Sequence, residues 1–149
     1  MKRAFSIAEL MIIIAVLGIL AAIVVPQFQS HATRAKEAVA KDGLRMLRSA
    51  IELYAARHGG VPPGYKGDDP GTVPSSIYFY SQIIVAGDCI LEMPENPFNK
   101  LDTMNVIGNN EIFPTAATSS YGWIYQPATR TIRLDWPGKD KDGIRYYDY

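Results

Sequence analysis

Glu9 is the first residue in this chain whose surroundings demand chemistry. From Leu10 to Val25 no side chain is charged or strongly polar. A carboxylate beside such a run, in hydrocarbon, costs a few kcal/mol, less near the bilayer edge than at its centre. It therefore requires a partner. A second candidate lies near the far end, in Asp135 and the run Asp140-Lys141-Asp142-Gly143, followed by Asp148. Carboxylates gathered around a glycine turn supply the hard oxygen ligands that calcium takes, so Asp135, Asp140 and Asp142 are candidate metal ligands. No Glu follows at EF-hand spacing, and Asp142-Gly143 is equally an ordinary turn dipeptide. His31 and His58 sit at opposite ends of one predicted helical segment, too far apart to share a metal within one chain. Neither falls in a nucleophile–base motif, and the sequence has no Gly-rich phosphate loop and no cysteine metal-ligand spacing. The residues describe a protein that is not an enzyme.

The elements that must hold these residues start with the span itself. Residues 5–26 read as a transmembrane helix: about 21 residues from Phe5 to Val25 give roughly 31 Å at 1.5 Å per residue, enough for a hydrocarbon core of about 30 Å. Lys2 and Arg3 precede it without an acidic counterweight, which orients the N-terminus to the cytoplasm and the remainder outside. The competing reading is a secretory signal peptide with a small-x-small site at Ser30-His31-Ala32, but the apolar region is longer than such peptides use and contains Glu9. Residues 27–58 read as an amphipathic helix, with Ala40, Leu44, Leu47, Ile51 and Tyr54 on one face. Gly18 weakens the helix and Pro26 should kink it. Gly59-Gly60 supply a C-terminal cap, and Pro62-Pro63 forbid continuation.

Residues 59–149 form the predicted head. After a Gly/Pro/Asp-rich loop over 59–75, Ser75 or Ser76 caps a short helix with Ile77, Tyr80, Ile83 and Ile84 on one face and Gly87 at its end; a strand over 77–85 is the alternative. Pro94 and Pro97 exclude helix or central strand nearby. One short strand is expected near Met104–Ile107 within an otherwise looped stretch. Tyr121–Gln126 and Thr131–Trp136 alternate as strands around a four-residue turn, Pro127-Ala128-Thr129-Arg130, with one face on the helix and the other toward solvent. Ile144–Tyr147 is a candidate third strand. The fold class is α+β, a long helix packed on a small antiparallel sheet. Charge is uneven: residues 27–58 carry six basic and three acidic side chains, and residues 59–149 carry seven basic and eleven acidic ones. A neutral total in this pattern argues against nucleic acid as the main partner and suits contact between copies. Cys89 is the single cysteine, so no intramolecular disulfide forms.

The segment Ala4-Phe5-Ser6-Ile7-Ala8-Glu9-Leu10-Met11, running to Ala21-Ala22-Ile23-Val24-Val25-Pro26, resembles the N-terminus of type IV pilins and type II secretion pseudopilins. The likeness is strong over roughly the first 30 residues. It implies a leader, residues 1–4, cut by a prepilin peptidase between Ala4 and Phe5, with N-methylation of Phe5; the family usually has Gly where this chain has Ala4. It implies the type IV pilin-like fold and assembly through Glu9, Gly18 and Pro26, with Glu9 facing the methylated amine of a neighbouring subunit. Intrachain pairing of Glu9 with the Phe5 amine, or reach to the headgroups, stays open beside it. Pro94-Glu95-Asn96-Pro97-Phe98 resembles the Pro-x-Asp-Pro-Trp segment of major pseudopilins, which hold calcium in a C-terminal loop. Many type IV pilins close such a loop with a cysteine pair that this chain lacks. The implied role is a type II secretion pseudopilin in a homo-oligomeric filament. Its partners would be the membrane, an inner-membrane assembly platform and minor pseudopilins or pilins, and its location the inner membrane and then the periplasm or cell surface. A pilus subunit for motility, adhesion or DNA uptake, and a membrane-anchored binding domain that does not polymerise, are the alternatives.

Overall fold

The computed structural model describes residues 6–86 and 89–149, the side chain of Pro26 excepted. The leader, the Ala4–Phe5 bond and the helix end expected at Gly87 lie outside the described residues. The chain divides into two units, Met1–Lys36 and Glu37–Tyr149. The elements are α1 (Ile7–Arg57), α2 (Ser76–Tyr80), β1 (Met104–Val106), β2 (Trp123–Gln126) and β3 (Thr131–Leu134), joined by short 3-10 and π turns.

In the second unit, α1 buries Ala40, Leu44, Leu47, Ala50, Ile51, Tyr54 and Ala55, the stripe that a 3.6-residue period places on one face. Its end is fixed by Gly59 and Gly60, both with positive φ (65° and 89°). The Gly60 N–H donates to the Ala55 carbonyl at 2.8 Å, closing the last turn in a Schellman arrangement that a side chain at Gly59 would strain. Tyr54 then ties the helix to the following loop, its hydroxyl donating to Asp68 Oδ1 at 2.6 Å while Gln82 Nε2 donates to the same oxygen at 2.8 Å. Burial and then this hydrogen bond push the Tyr54 pKa up.

Ser75 caps α2, accepting from the Tyr78 N–H; the strand alternative is not adopted. Of the expected face, Ile83 is enclosed and Tyr80 and Ile84 pack against the core, whereas Ile77 is 75% exposed and Phe79 is enclosed instead, its ring 5.1 Å from that of Tyr125. A π turn over Ser81–Val85 extends α2.

The sheet has the order β1-β2-β3. β2 and β3 pair antiparallel, with Trp123 opposite Leu134 and Tyr125 opposite Ile132. The turn between them follows the Pro127–Arg130 expectation, with Arg130 in the left-handed region. β1 instead pairs parallel to β2, with Met104 opposite Trp123, so the sheet is mixed rather than antiparallel. A parallel pair needs a long crossing connection, and residues 107–122 are that connection. The third strand expected at Ile144–Tyr147 is not formed: Lys139 and Arg145 make an isolated bridge, and Tyr146–Asp148 form a 3-10 turn.

Trp123, Tyr125, Ile132 and Leu134 share a core with the α1 stripe. The opposite sheet face is also covered, since Ile124 is buried with Ile107 and Tyr147. Gln126 is buried as well, its Nε2 donating to the Gly108 and Glu111 carbonyls at 3.0 and 2.9 Å. The crossing connection lies on the face that alternation alone assigns to solvent. Asn96 in the proline segment is fully buried; its Nδ2 donates to the Gly122 carbonyl at 3.1 Å, and Trp123 Nε1 donates to the Pro94 carbonyl at 2.8 Å.

Tyr125 carries the one buried side-chain polar atom without a hydrogen-bond partner among the described residues, its hydroxyl. Burial pushes its pKa up. An unpaired buried hydroxyl costs about 1–3 kcal/mol. Tyr125→Phe is therefore expected to melt at or above the wild-type temperature, and a clear drop in Tm of the detergent-solubilised chain would contradict the assignment.

Candidate functional site

The first unit carries the residues with the clearest functional demand. Ser6 stands immediately before α1 as its N-cap. Its Oγ accepts from the Ala8 N–H at 3.3 Å, and its backbone N–H donates to Glu9 Oε2 at 2.9 Å. The Leu10 N–H donates to the Ser6 carbonyl at 3.2 Å, the first helical bond. Ser at the N-cap and Glu at the third helical position thus cap the helix reciprocally, as in a capping box but with the Ser6 hydroxyl on the second rather than the third helical N–H, and each satisfies a donor that the helix start leaves without an intrahelical acceptor. Sequence reasoning sought a partner for Glu9 and overlooked this one, although Ser-x-x-Glu before an apolar run was its visible signature. The carboxylate in the first turn also lies at the favourable end of the helix dipole.

Beyond the cap, every side chain from Ile7 to Val25 is exposed. The segment is long and apolar enough to cross a membrane, and none of its apolar window is buried within the chain. Gly18 and Pro26 both lie inside α1, which runs on through them. Nothing approaches within 4 Å of the position a Gly18 side chain would take. Ala4 and Phe5, the expected processing pair, lie outside the described residues.

The acidic cluster is dispersed. Asp135 is fully buried and spends its carboxylate on the Thr118–Tyr121 loop. Oδ1 accepts from the Thr118 and Ser119 N–H groups, and Oδ2 accepts from the Thr118 hydroxyl at 2.7 Å and the Tyr121 N–H at 3.0 Å. Asp140 instead closes its own turn, its Oδ1 accepting from the Asp142 and Ile144 N–H groups and its Oδ2 from the Tyr149 hydroxyl. Burial pushes the Asp140 carboxyl up, but these hydrogen bonds outweigh it and hold the pKa below the usual range. Asp142 faces Lys141 Nζ at 3.0 Å. Hydrogen bonds from Arg145 hold Asp148 low in the same way, with Arg133 adding to them. Among the described residues no three His, Cys, Asp or Glu side chains are gathered as a metal site. Asp135, Asp140 and Asp142 are thus not brought together as a set of three.

The histidines are also apart. His31 is exposed on the first unit. His58 stacks on Tyr54, ring centroids 3.9 Å apart, and its Nδ1–H donates to the Tyr54 carbonyl at 2.8 Å. Cys89 is half-buried.

Comparison with known proteins bears on what an exposed apolar helix with a capped carboxylate belongs to. The chain is 34% identical to a type IV major pilin protein, PilE1, of Neisseria gonorrhoeae, over 97% of this chain and 82% of that one. The chain belongs to the type IV pilin family. The chain is also 36% identical to the type II secretion system core protein G of Pseudomonas aeruginosa, over 44% of its own length and 46% of that protein's. It thus spans less than half of the Pseudomonas relative. It is 27% identical to the prepilin peptidase-dependent protein D of Escherichia coli, over 72% of this chain and 73% of that one. No family model matches the chain, and no solved structure does. Its α+β architecture, a long helix with a small sheet, is the pilin-like fold that the N-terminal residues implied.

Proposed function

We propose that the chain is a structural filament subunit, most like a type II secretion pseudopilin. The observation that carries this is the run from Ile7 to Val25, wholly exposed and apolar behind the Glu9 carboxylate. Such a surface needs lipid before assembly and neighbouring helices after it. In this reading prepilin peptidase cuts between Ala4 and Phe5, Phe5 is N-methylated, and the subunit waits in the inner membrane with its N-terminus cytoplasmic. An assembly platform then draws it into a homo-oligomeric filament with minor pseudopilins or pilins. Glu9 meets the cationic amine of a neighbour, while Gly18 and Pro26 supply the helix's freedom to adjust between the two environments. The name of the Escherichia coli relative, dependent on prepilin peptidase, supports the processing step.

Mass spectrometry of the mature chain tests it. The expected species begins at Phe5 and carries one N-methyl group. A retained Met1, or a cut after Ala32, would return the chain to a plain membrane-anchored or secreted binding domain. The pilus-subunit reading for motility, adhesion or DNA uptake is favoured by one observation, the near-full-length match to a major pilin. A deletion strain separates the two machines: loss of secretion supports the pseudopilin, and loss of surface pili supports the pilus subunit.

A further inference from the structure

We propose that the stretch of α1 just beyond the apolar run, residues 27–36, binds anionic phospholipid headgroups, with Arg34 and Lys36 supplying the charge. From Leu10 to Lys36 the sequence holds no acidic residue, and Arg34 and Lys36 are its first full cations. Every side chain over 27–36 is exposed. Among the described residues neither cation makes an ion pair. Glu37, the next acidic residue, is engaged by the Tyr146 hydroxyl at 3.0 Å. The hydroxyls of the stretch are spent on its own backbone. Ser30 Oγ donates to the Gln27 carbonyl at 2.8 Å, and Thr33 Oγ1 donates to the Gln29 carbonyl at 3.1 Å. Gln27, His31 and Arg34, four and three residues apart, then present N–H donors along one helical face.

Position along the helix selects a lipid over a soluble anion. Headgroups add roughly 5–7 Å to each side of the hydrocarbon. At 1.5 Å per residue, Gln27 and Phe28 lie about 3–5 Å beyond Val25, and Arg34 about 14 Å beyond it. Helical side chains lean toward the N-terminus, which is here the membrane side. The long Arg34 and Lys36 side chains therefore reach back toward the phosphates with their apolar stems along the boundary. Phe28, 74% exposed, shares a neighbouring face with Ala32 and Ala35 and gives the stretch an apolar side against the acyl chains. A zwitterionic lipid brings its own ammonium, which competes with Arg34 for the phosphate; phosphatidylglycerol brings none. The surface thus favours net negative headgroups. It rests on the helix entering a bilayer, as read above, and not on filament assembly.

The test reconstitutes the full chain in mixed vesicles of phosphatidylcholine and phosphatidylglycerol. Electron spin resonance of each lipid in spin-labelled form reads which one the chain immobilises. The wild type is expected to prefer phosphatidylglycerol. The double variant Arg34→Gln, Lys36→Gln is expected to lose that preference by about fivefold for each cation removed, the worth of one basic residue near an anionic surface. Lys2 and Arg3 stay in every variant, so the difference belongs to residues 27–36. Arg34→Lys is expected to keep the preference, and salt at about 1 M to weaken it. Inorganic phosphate added at matched ionic strength is expected to leave it unchanged. Equal preference in the wild type and the double variant would overturn the proposal, as would its loss to inorganic phosphate, which would mark a site for a soluble anion. Immobilised lipid without any preference would sink the proposal alone. No immobilised lipid of either kind would overturn the membrane-span reading along with it.

Discussion

Glu9→Ala is expected to reach the membrane, to be processed at wild-type rate, and to yield no filaments. The argument turns on what the substitution leaves behind. In the assembled state proposed above, Glu9 faces the amine of a neighbour inside a bundle of apolar helices. Removing one partner of a buried pair strands the other as an uncompensated charge, at a cost of about 3–5 kcal/mol. Per added subunit that is roughly two to four orders of magnitude in the association constant, and a helical polymer meets the loss at every addition. Insertion is spared, because the apolar run from Leu10 to Val25 is intact and an uncharged residue enters lipid more readily than a carboxylate. The measurement is a pair of immunoblots, one on the membrane fraction and one on sheared or pelleted filaments. Normal filament yield from a variant present at normal membrane levels would remove Glu9 from the assembly contact.

What the sequence disclosed, and what it concealed, follow from the range of each interaction. The buried stripe on α1 was legible because Leu44, Leu47, Ile51 and Tyr54 repeat within a few residues and all face one way. The cap at Gly59-Gly60 and the Pro127–Arg130 turn were legible for the same reason, since local backbone demands dictate local residue types. The parallel pairing of β1 was not, because its partner lies beyond a crossing loop and nothing within Met104–Val106 records strand direction. Cover on the second sheet face was hidden likewise: Ile124 and Gln126 alternate with Trp123 and Tyr125 as a half-solvated strand would, but residues 107–117 and Tyr147 come from elsewhere to lie over them. Asp135 is the instructive case at the candidate site. By composition it belongs with Asp140 and Asp142, whereas in the fold its oxygens are consumed by a loop about 15 residues earlier in the chain. Proximity in sequence grouped three carboxylates that hydrogen bonding separates. The Ser6–Glu9 box was local and readable; a strong membrane signal over the same residues drew the reading away from it.

Gly122→Ala is expected to destabilise the second unit strongly, lowering its melting temperature by roughly 15 °C or more. Gly122 leads into β2, and a Cβ built there overlaps the Leu101 carbonyl oxygen, with the Leu101 carbonyl carbon at 3.0 Å and the Thr103 oxygen at 3.3 Å. The obstacle is backbone on every side, so no rotamer change relieves it. Nor can the strand slide away cheaply. The Gly122 N–H donates to the Thr103 carbonyl at 2.9 Å, and its own carbonyl accepts from the Asp135 N–H at 3.1 Å and from Asn96 Nδ2 at 3.1 Å. Trp123, the next residue, fills the core against α1 and is held by the Pro94 carbonyl. Overpacking in a rigid site costs about 1–3 kcal/mol, and each buried hydrogen bond broken to relieve it adds about 1 kcal/mol. A total near 4 kcal/mol consumes much of the 5–15 kcal/mol typical of a domain and should lower Tm by roughly 15 °C or more. Gly18→Ala is the control: nothing lies within 4 Å of its Cβ position, so the melting of the second unit should not move. Circular dichroism melts of the detergent-solubilised chains decide between them. If Gly122→Ala melts within a few degrees of wild type, the β1–β2 approach at Leu101 is wider than the structure has it, and the crossing connection that sets the parallel strand must be held elsewhere.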